Sequence, residues 1–173
     1  VNRLILKNIW RLALLTLLQV IVLKRVNLGG ESFNYISLYI YPLFLMLLPK
    51  KMVNPLLILI GFLVGFFIDI SYSSPGVHAS ACVFSTFCRP FVLSILEPPS
   101  EYKEEAGLTK KSYGSAWFMG YAALFLFLHL FFYFSVEAFT FVHIKQILLR
   151  TASSFVFSWI LIMIYIFTLD PAE

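Results

Sequence analysis

Read along its length, the chain alternates long apolar runs with short polar or Pro/Gly-marked breaks. Six runs stand out: Ile9–Leu23, Tyr35–Leu48, Pro55–Ser71, Gly76–Leu96, Ser115–Val136 and Gln146–Leu169. A helix that crosses a bilayer needs roughly 20 mostly apolar residues, within a range of about 17–25. The last four runs meet that length. The first reaches it on extension to Leu28, with Lys24 and Arg25 snorkelling toward headgroups. A cleavable leader is disfavoured there, because Lys24-Arg25-Val26-Asn27-Leu28 follows the apolar core in place of a small-residue cleavage site. The second run carries Pro42 and covers only about 21 Å at 1.5 Å per residue. It reads as either a thin, kinked span or a re-entrant segment. The pattern therefore predicts an all-α integral membrane protein with five or six transmembrane helices. They form one polytopic domain over residues 1–173, with spans at about 9–28, 35–48, 55–71, 76–96, 115–136 and 146–169.

Composition agrees with the pattern and excludes the alternatives. Hydrophobic residues make up 60% of the 173, aromatic residues 18% and charged residues only 13%, whereas a soluble domain carries about 25% charge. Two cysteines cannot build a disulfide scaffold. The net charge of +4 reports orientation and anionic headgroups; no basic cluster is large enough for nucleic acid. With six spans and the N-terminus inside, the inner loops carry Arg3, Lys7, Arg11, Lys50, Lys51, Lys103, Lys110 and Lys111, against Lys24, Arg25 and Lys145 outside. Positive residues accumulate on the cytoplasmic side, so both termini are expected there, with Trp10 and Trp117 near that interface. The polar segment Glu97–Gly114, opened by Pro98-Pro99, reads either as a docking surface for a cytoplasmic partner or as a solvated connector.

Few polar residues fall within the runs: Gln19, Asp69, His78, Arg89, His129 and Arg150. Ionisable groups inside a membrane are costly and need partners. Counted by depth, Asp69, His78, His129 and Arg150 group as one outer-leaflet polar cluster, with an Asp69–Arg150 pair if their depths match. Arg89 lies about 16 Å deeper than His78. Its expected solutions are snorkelling, carbonyls freed by Pro90, or Gln19. A proton relay needs acidic residues in series across the membrane, and an aspartyl protease needs a second carboxylate; neither is present. Ser80 or Ser85 with His129 is the one conceivable nucleophile–base pair, set against the ordinary use of Ser as a packing residue. Cys82 and Cys88 are six residues apart, point to different faces and make no metal motif. No catalytic, cofactor or metal site is expected. Gly61 and Gly65 form a GxxxG, which lets helices approach closely, within the chain or against a partner's helix. The run Leu124–Phe134 is apolar nearly all round, as for a lipid-facing helix, with His129 turned inward.

The stretch Gly61-Phe-Leu-Val-Gly65-Phe-Phe-Ile-Asp69, then Ser74-Pro75-Gly76-Val77-His78-Ala79, closing with Phe87-Cys88-Arg89-Pro90, resembles the rod-shape-determining MreD family in its Bacteroidetes-like form. The specific likeness covers about Leu56–Leu96; elsewhere it is hydropathy alone. The resemblance implies a fold similar to the membrane subunits of energy-coupling-factor transporters and a non-enzymatic role in the bacterial inner membrane. There such a protein acts as a scaffold of the cell-elongation machinery that synthesises peptidoglycan. It also implies partners: the bitopic MreC above all, with the RodA glycosyltransferase, a class B penicillin-binding protein and actin-like MreB. Asp69, Gly76, His78, Arg89 and Pro90 would then be structural or interaction positions. The weak second run, interrupted by Pro42, departs from the family pattern. The alternative is a solute-binding subunit of a vitamin-uptake transporter, with the outer cluster as its pocket.

Overall fold

A computed structural model describes residues 2–26, 36–96, 107–140 and 142–169. Four of its helices are long and apolar enough to cross a membrane: α3 (Asn54–Tyr72), α4 (Val77–Leu96), α6 (Ser115–Ala138) and α7 (Ile144–Leu169). Before them come α1 (Asn2–Leu17) and the short α2 (Pro42–Met46); the one-turn α5 (Lys110–Tyr113) precedes α6. Among the described residues there is no strand, only an isolated bridge between Pro49 and Gly107. The boundaries fall within two residues of the four later runs. Leu28, Tyr35 and most of the Glu97–Gly114 segment (97–106) lie outside the described residues.

The first two runs differ from expectation. α1 passes into a π-helical turn, Leu18–Val22, and a 3-10 turn, Leu23–Arg25, so this helical stretch runs over 2–25 instead of 9–28. The second run is not one long helix: residues 36–40 have no regular secondary structure, and only Pro42–Met46 coil into about one helical turn. Pro42 explains the switch, since it is accepted at the start of a helix but removes the amide needed to continue one from upstream. Tyr39 through Leu48 are all buried. The segment starts beside Gln19 and Tyr72 and ends beside Arg89 and Gly107, threading the interior from one end of the bundle to the other.

Antiparallel pairing organises the rest. α3 and α4 are joined by a tight turn in which Ser73 (φ 55°) and Gly76 (φ 84°) take left-handed conformations; glycine is at ease there and Ser73 is held by the helix C-cap. α6 packs between α4 and α7 and also touches α2. Phe118, Tyr121, Phe125, Leu126, Leu130 and Phe134 are buried, so α6 is the core helix of the bundle and not a lipid-facing one. A helix that is apolar all round suits either place; only packing separates the two.

Candidate functional site

The α3–α4 joint begins at Gly65. A Cβ there would stand 2.4 Å from the Ala79 Cα, so only glycine lets the two backbones approach this closely. At Gly61 the same addition would meet the Thr86 side chain and the Cys82 carbonyl at 2.9–3.1 Å. The GxxxG is thus occupied by α4 of the same chain. One helical turn beyond Gly65, Asp69 is brought against the first turn of α4. Its Oδ1 accepts from the His78 backbone N–H (2.9 Å) and its Oδ2 from that of Ala79 (2.9 Å). A carboxylate placed on the free amides of a helix N-terminus is doubly favoured, by hydrogen bonds and by the helix dipole. The Ser74 hydroxyl donates to Oδ1 at 2.9 Å, and His78 Nδ1 lies 3.1 Å from the same oxygen. Asp69 is therefore a helix cap supplied from the neighbouring helix.

The His78 ring is fully buried among tyrosines, with centroids 4.7 Å from Tyr72, 4.9 Å from Tyr133 and 5.8 Å from Tyr41. Its Nε2 has no hydrogen-bond partner. With Nδ1–H aimed at Asp69, Nε2 is left as a lone pair facing rings.

His129 belongs to a separate chain of bonds deeper in the bundle. Its Nε2 is 2.7 Å from the Tyr41 hydroxyl, and its Nδ1 is 2.8 Å from Ser85 Oγ. Ser85 donates its own proton to the Ala81 carbonyl at 2.6 Å. That donation fixes the direction of the chain: Tyr41 O–H to Nε2, Nδ1–H to Ser85, Ser85 O–H to Ala81. The imidazole lone pair then points away from the serine, so Ser85 and His129 have the spacing of a nucleophile and base but the wrong tautomer for it.

Arg150 does not join either set. It forms an ion pair with Glu137 across the α6–α7 joint (2.6 Å) and lies over the Phe134 ring at 4.6 Å. The expected four-residue cluster is therefore three arrangements, and the Asp69–Arg150 pair is replaced by Asp69–His78 and Glu137–Arg150. Glu137 escaped notice because it sits just past the end assigned to the fifth run.

Arg89 neither snorkels nor uses Pro90 or Gln19. Its guanidinium is 1% exposed and donates to the carbonyls of Leu48 and Pro49 (3.2 Å to Pro49) and to the Tyr121 hydroxyl (3.1 Å). Those carbonyls follow α2, where chain direction leaves acceptors unpaired. Pro90 lies outward on the same helix, in the wall of a cavity of about 470 Å³.

Gln19, placed on the π turn, completes the framework. Its Oε1 accepts from the Ile40 N–H (2.9 Å), and its Nε2 donates to the Leu38 carbonyl (3.0 Å) and reaches the Tyr72 hydroxyl (2.7 Å). From the opposite side, Ser154 Oγ accepts from the Ser37 N–H (3.0 Å) and Ser158 Oγ from the Tyr39 N–H (2.9 Å). The Ser37 and Tyr39 amides thus face α7 and the Ile40 amide faces Gln19, and the two helices supply side chains in place of neighbouring strands. Ser154 and Ser158 were readable only as a four-residue spacing on one face of α7. Ser85 was placed with His129 as a conceivable nucleophile–base pair, and the structure does bring those two together; Tyr41 and Tyr121 carried no signal beyond being aromatic.

Among the described residues no three His, Cys, Asp or Glu side chains are grouped to hold a metal ion. Cys82 is buried and Cys88 half-buried, both as free thiols. Helices of this length and hydropathy, tied by buried polar bonds, define a helical membrane protein. Comparison with models of protein families, with curated proteins and with solved structures finds no match.

Proposed function

We propose that this chain is a non-enzymatic scaffold of the MreD type. It would sit in the bacterial inner membrane, cross it six times with both termini cytoplasmic, and bind an MreC-like bitopic partner within the machinery that elongates the cell wall. In this reading the buried segment 36–48 is the second crossing. Irregular backbone is tolerated at membrane depth where protein surrounds it, and the bonds from Gln19, Ser154 and Ser158 support that role. RodA, a class B penicillin-binding protein and MreB are the further partners that the motif resemblance brings with it.

The observation that carries the reading is where the polar groups go. Asp69, Gln19, Arg89, His129 and Arg150 are all engaged by bonds within the chain, while the outward faces of α3 and α4 present Phe62, Phe66, Phe67, Phe87 and Phe91. Such a molecule has a rigid interior and an apolar rim suited to lipid and partner helices. Since α4 already fills the Gly61/Gly65 groove, the partner docks on the phenylalanine faces instead of a small-residue stripe. The test is co-purification with an MreC-like protein from native membranes in gentle detergent. Failure to co-purify, with neither protein depending on the other in cells, sinks the proposal.

A second reading rests on one feature. A cavity of about 190 Å³ opens between the end of α1 and the segment 36–40, lined in part by Lys24, Ser37, Tyr39 and Tyr72. It lies at the end where the alternative, a vitamin-uptake subunit, needs its ligand, but is smaller than the roughly 300–1,000 Å³ of most ligand pockets. A small molecule retained through purification, with vitamin-dependent growth on deletion, would favour this reading over the scaffold.

A further inference from the structure

At the end of the bundle opposite the α3–α4 turn, a cavity of about 470 Å³ opens between the start of α3 and the last turns of α4. Lys50, Asn54, Arg89 and Ser94 contribute polar groups to its wall, and Leu57 and Leu93 contribute apolar ones. We propose that this cavity binds the phosphodiester headgroup of an anionic glycerophospholipid, with Arg89 as its buried anchor and an acyl chain lying along Leu57 and Leu93.

Three independent observations converge on that ligand. The first is charge. Arg89 is 1% exposed, yet its partners are two carbonyls and a hydroxyl, all neutral; the ion pairs among the described residues are Asp69–His78 and Glu137–Arg150. Three acceptors engage three of the five guanidinium N–H groups, so donors remain for an anion. A guanidinium matches phosphate oxygens in a planar fork. The second is the cavity wall, which among the described residues adds Lys50 and no acidic side chain. Asn54 opens α3 at this point, so the positive end of a 19-residue helix dipole faces the same space. The third is depth. Arg89 lies seven residues before the end of α4, about 10 Å along the axis, with the apolar Leu57 and Leu93 in the same wall. Basic pockets between transmembrane helices suit anionic lipid headgroups, and a soluble anion would leave the apolar half of the wall uncovered.

The test uses the full chain stripped of lipid in detergent, then offered equal amounts of phosphatidylglycerol and phosphatidylcholine, with the first bound lipid identified by native mass spectrometry. The expected preference for phosphatidylglycerol is about tenfold, the range one charge-assisted contact gives. Because Arg89→Gln disrupts three hydrogen bonds of the fold itself, the site is probed from its exposed rim. Lys50→Glu places an opposing charge there and Ser94→Trp fills the opening; each should lower the preference at least threefold, while Lys24→Gln at the other end leaves it intact. Equal retention of the two lipids overturns the proposal. So does an unchanged preference in both rim variants, or an equal loss in Lys24→Gln, which would mean unspecific charge attraction. Inorganic phosphate displacing phosphatidylglycerol at equal concentration would also overturn it, by showing a free-anion site in place of a lipid site.

Discussion

Asp69 and Arg89 are opposite charges buried toward opposite ends of α4, and the chain engages both chiefly through backbone groups. Asp69 takes the amides at a helix N-terminus; Arg89 takes carbonyls beyond a helix C-terminus. Each ion thereby meets the end of a dipole with the complementary sign. The ends differ in closure. Around Asp69, Gly65 brings the helices into backbone contact and Ser74 and His78 fill the remaining acceptor positions. Around Arg89 the wall stays open on one side. One end of the bundle is a backbone-to-backbone joint beside a hollow of about 340 Å³ that Asp69, Ser74 and Gly76 help to line, and the other is a joint of side chains on carbonyls beside a larger one of about 470 Å³.

The backbone-to-backbone joint is the easier to break. Gly65→Val should cost about 3 kcal/mol, the upper part of the overpacking range, because the obstruction is the α4 backbone and cannot rotate aside. Gly61→Ala meets chiefly the Thr86 side chain and should cost about 1 kcal/mol. Thermal unfolding followed by a thiol-reactive dye would report both through the buried Cys82; equal losses would show that the approach at Gly65 is not the tight point.

Next in size is the cap itself. Asp69→Ala strips acceptors from two buried amides and a hydroxyl, and should cost about 2 kcal/mol, the upper figure for a lost cap. At the Arg89 joint, Tyr121→Phe removes one of Arg89's three acceptors and should cost about 1 kcal/mol. A larger loss for Tyr121→Phe than for Asp69→Ala would reverse the comparison.

The smallest effect belongs to Arg150. Its pair with Glu137 is half-buried, so Arg150→Gln should cost about 0.5 kcal/mol and the loss should shrink in high salt. Combined with Asp69→Asn, it should add within about 0.5 kcal/mol, because the two residues share no partner. Marked rescue in the double variant would restore the direct Asp69–Arg150 pair that the structure replaces.

Much of this was legible in the linear order of residues. The four later helices were located to within two residues, because sustained hydropathy and a Pro/Gly-marked break are local properties. Gly61 and Gly65 were identifiable as a close-approach pair and Asp69 as a carboxylate inside a span that needs partners; the spacing of four puts all three on a single helix face. Depth counting failed for the polar cluster. Depth places residues along an axis but says nothing of azimuth, so His129 and Arg150 were assigned to Asp69, whereas His129 turns toward Tyr41 and Ser85 and Arg150 toward Glu137 of α6. For the same reason the phenylalanine-rich α6 read as a lipid-facing helix although it is the core.

The chain's membrane character and the places where the four later helices start and stop follow from its residues alone, because bilayer insertion responds to summed apolar length. What the tertiary structure decided was the meaning of the second run and the partners of every buried charge. A Pro-interrupted apolar segment can cross, re-enter or lie flat until helices arrive to bond its backbone, and here Gln19, Ser154 and Ser158 do so from 19 to 119 residues away. Arg89 likewise has no partner near it in sequence; its acceptors lie 32 to 41 residues distant. Long-range polar bonds of that kind exist only once the bundle has closed.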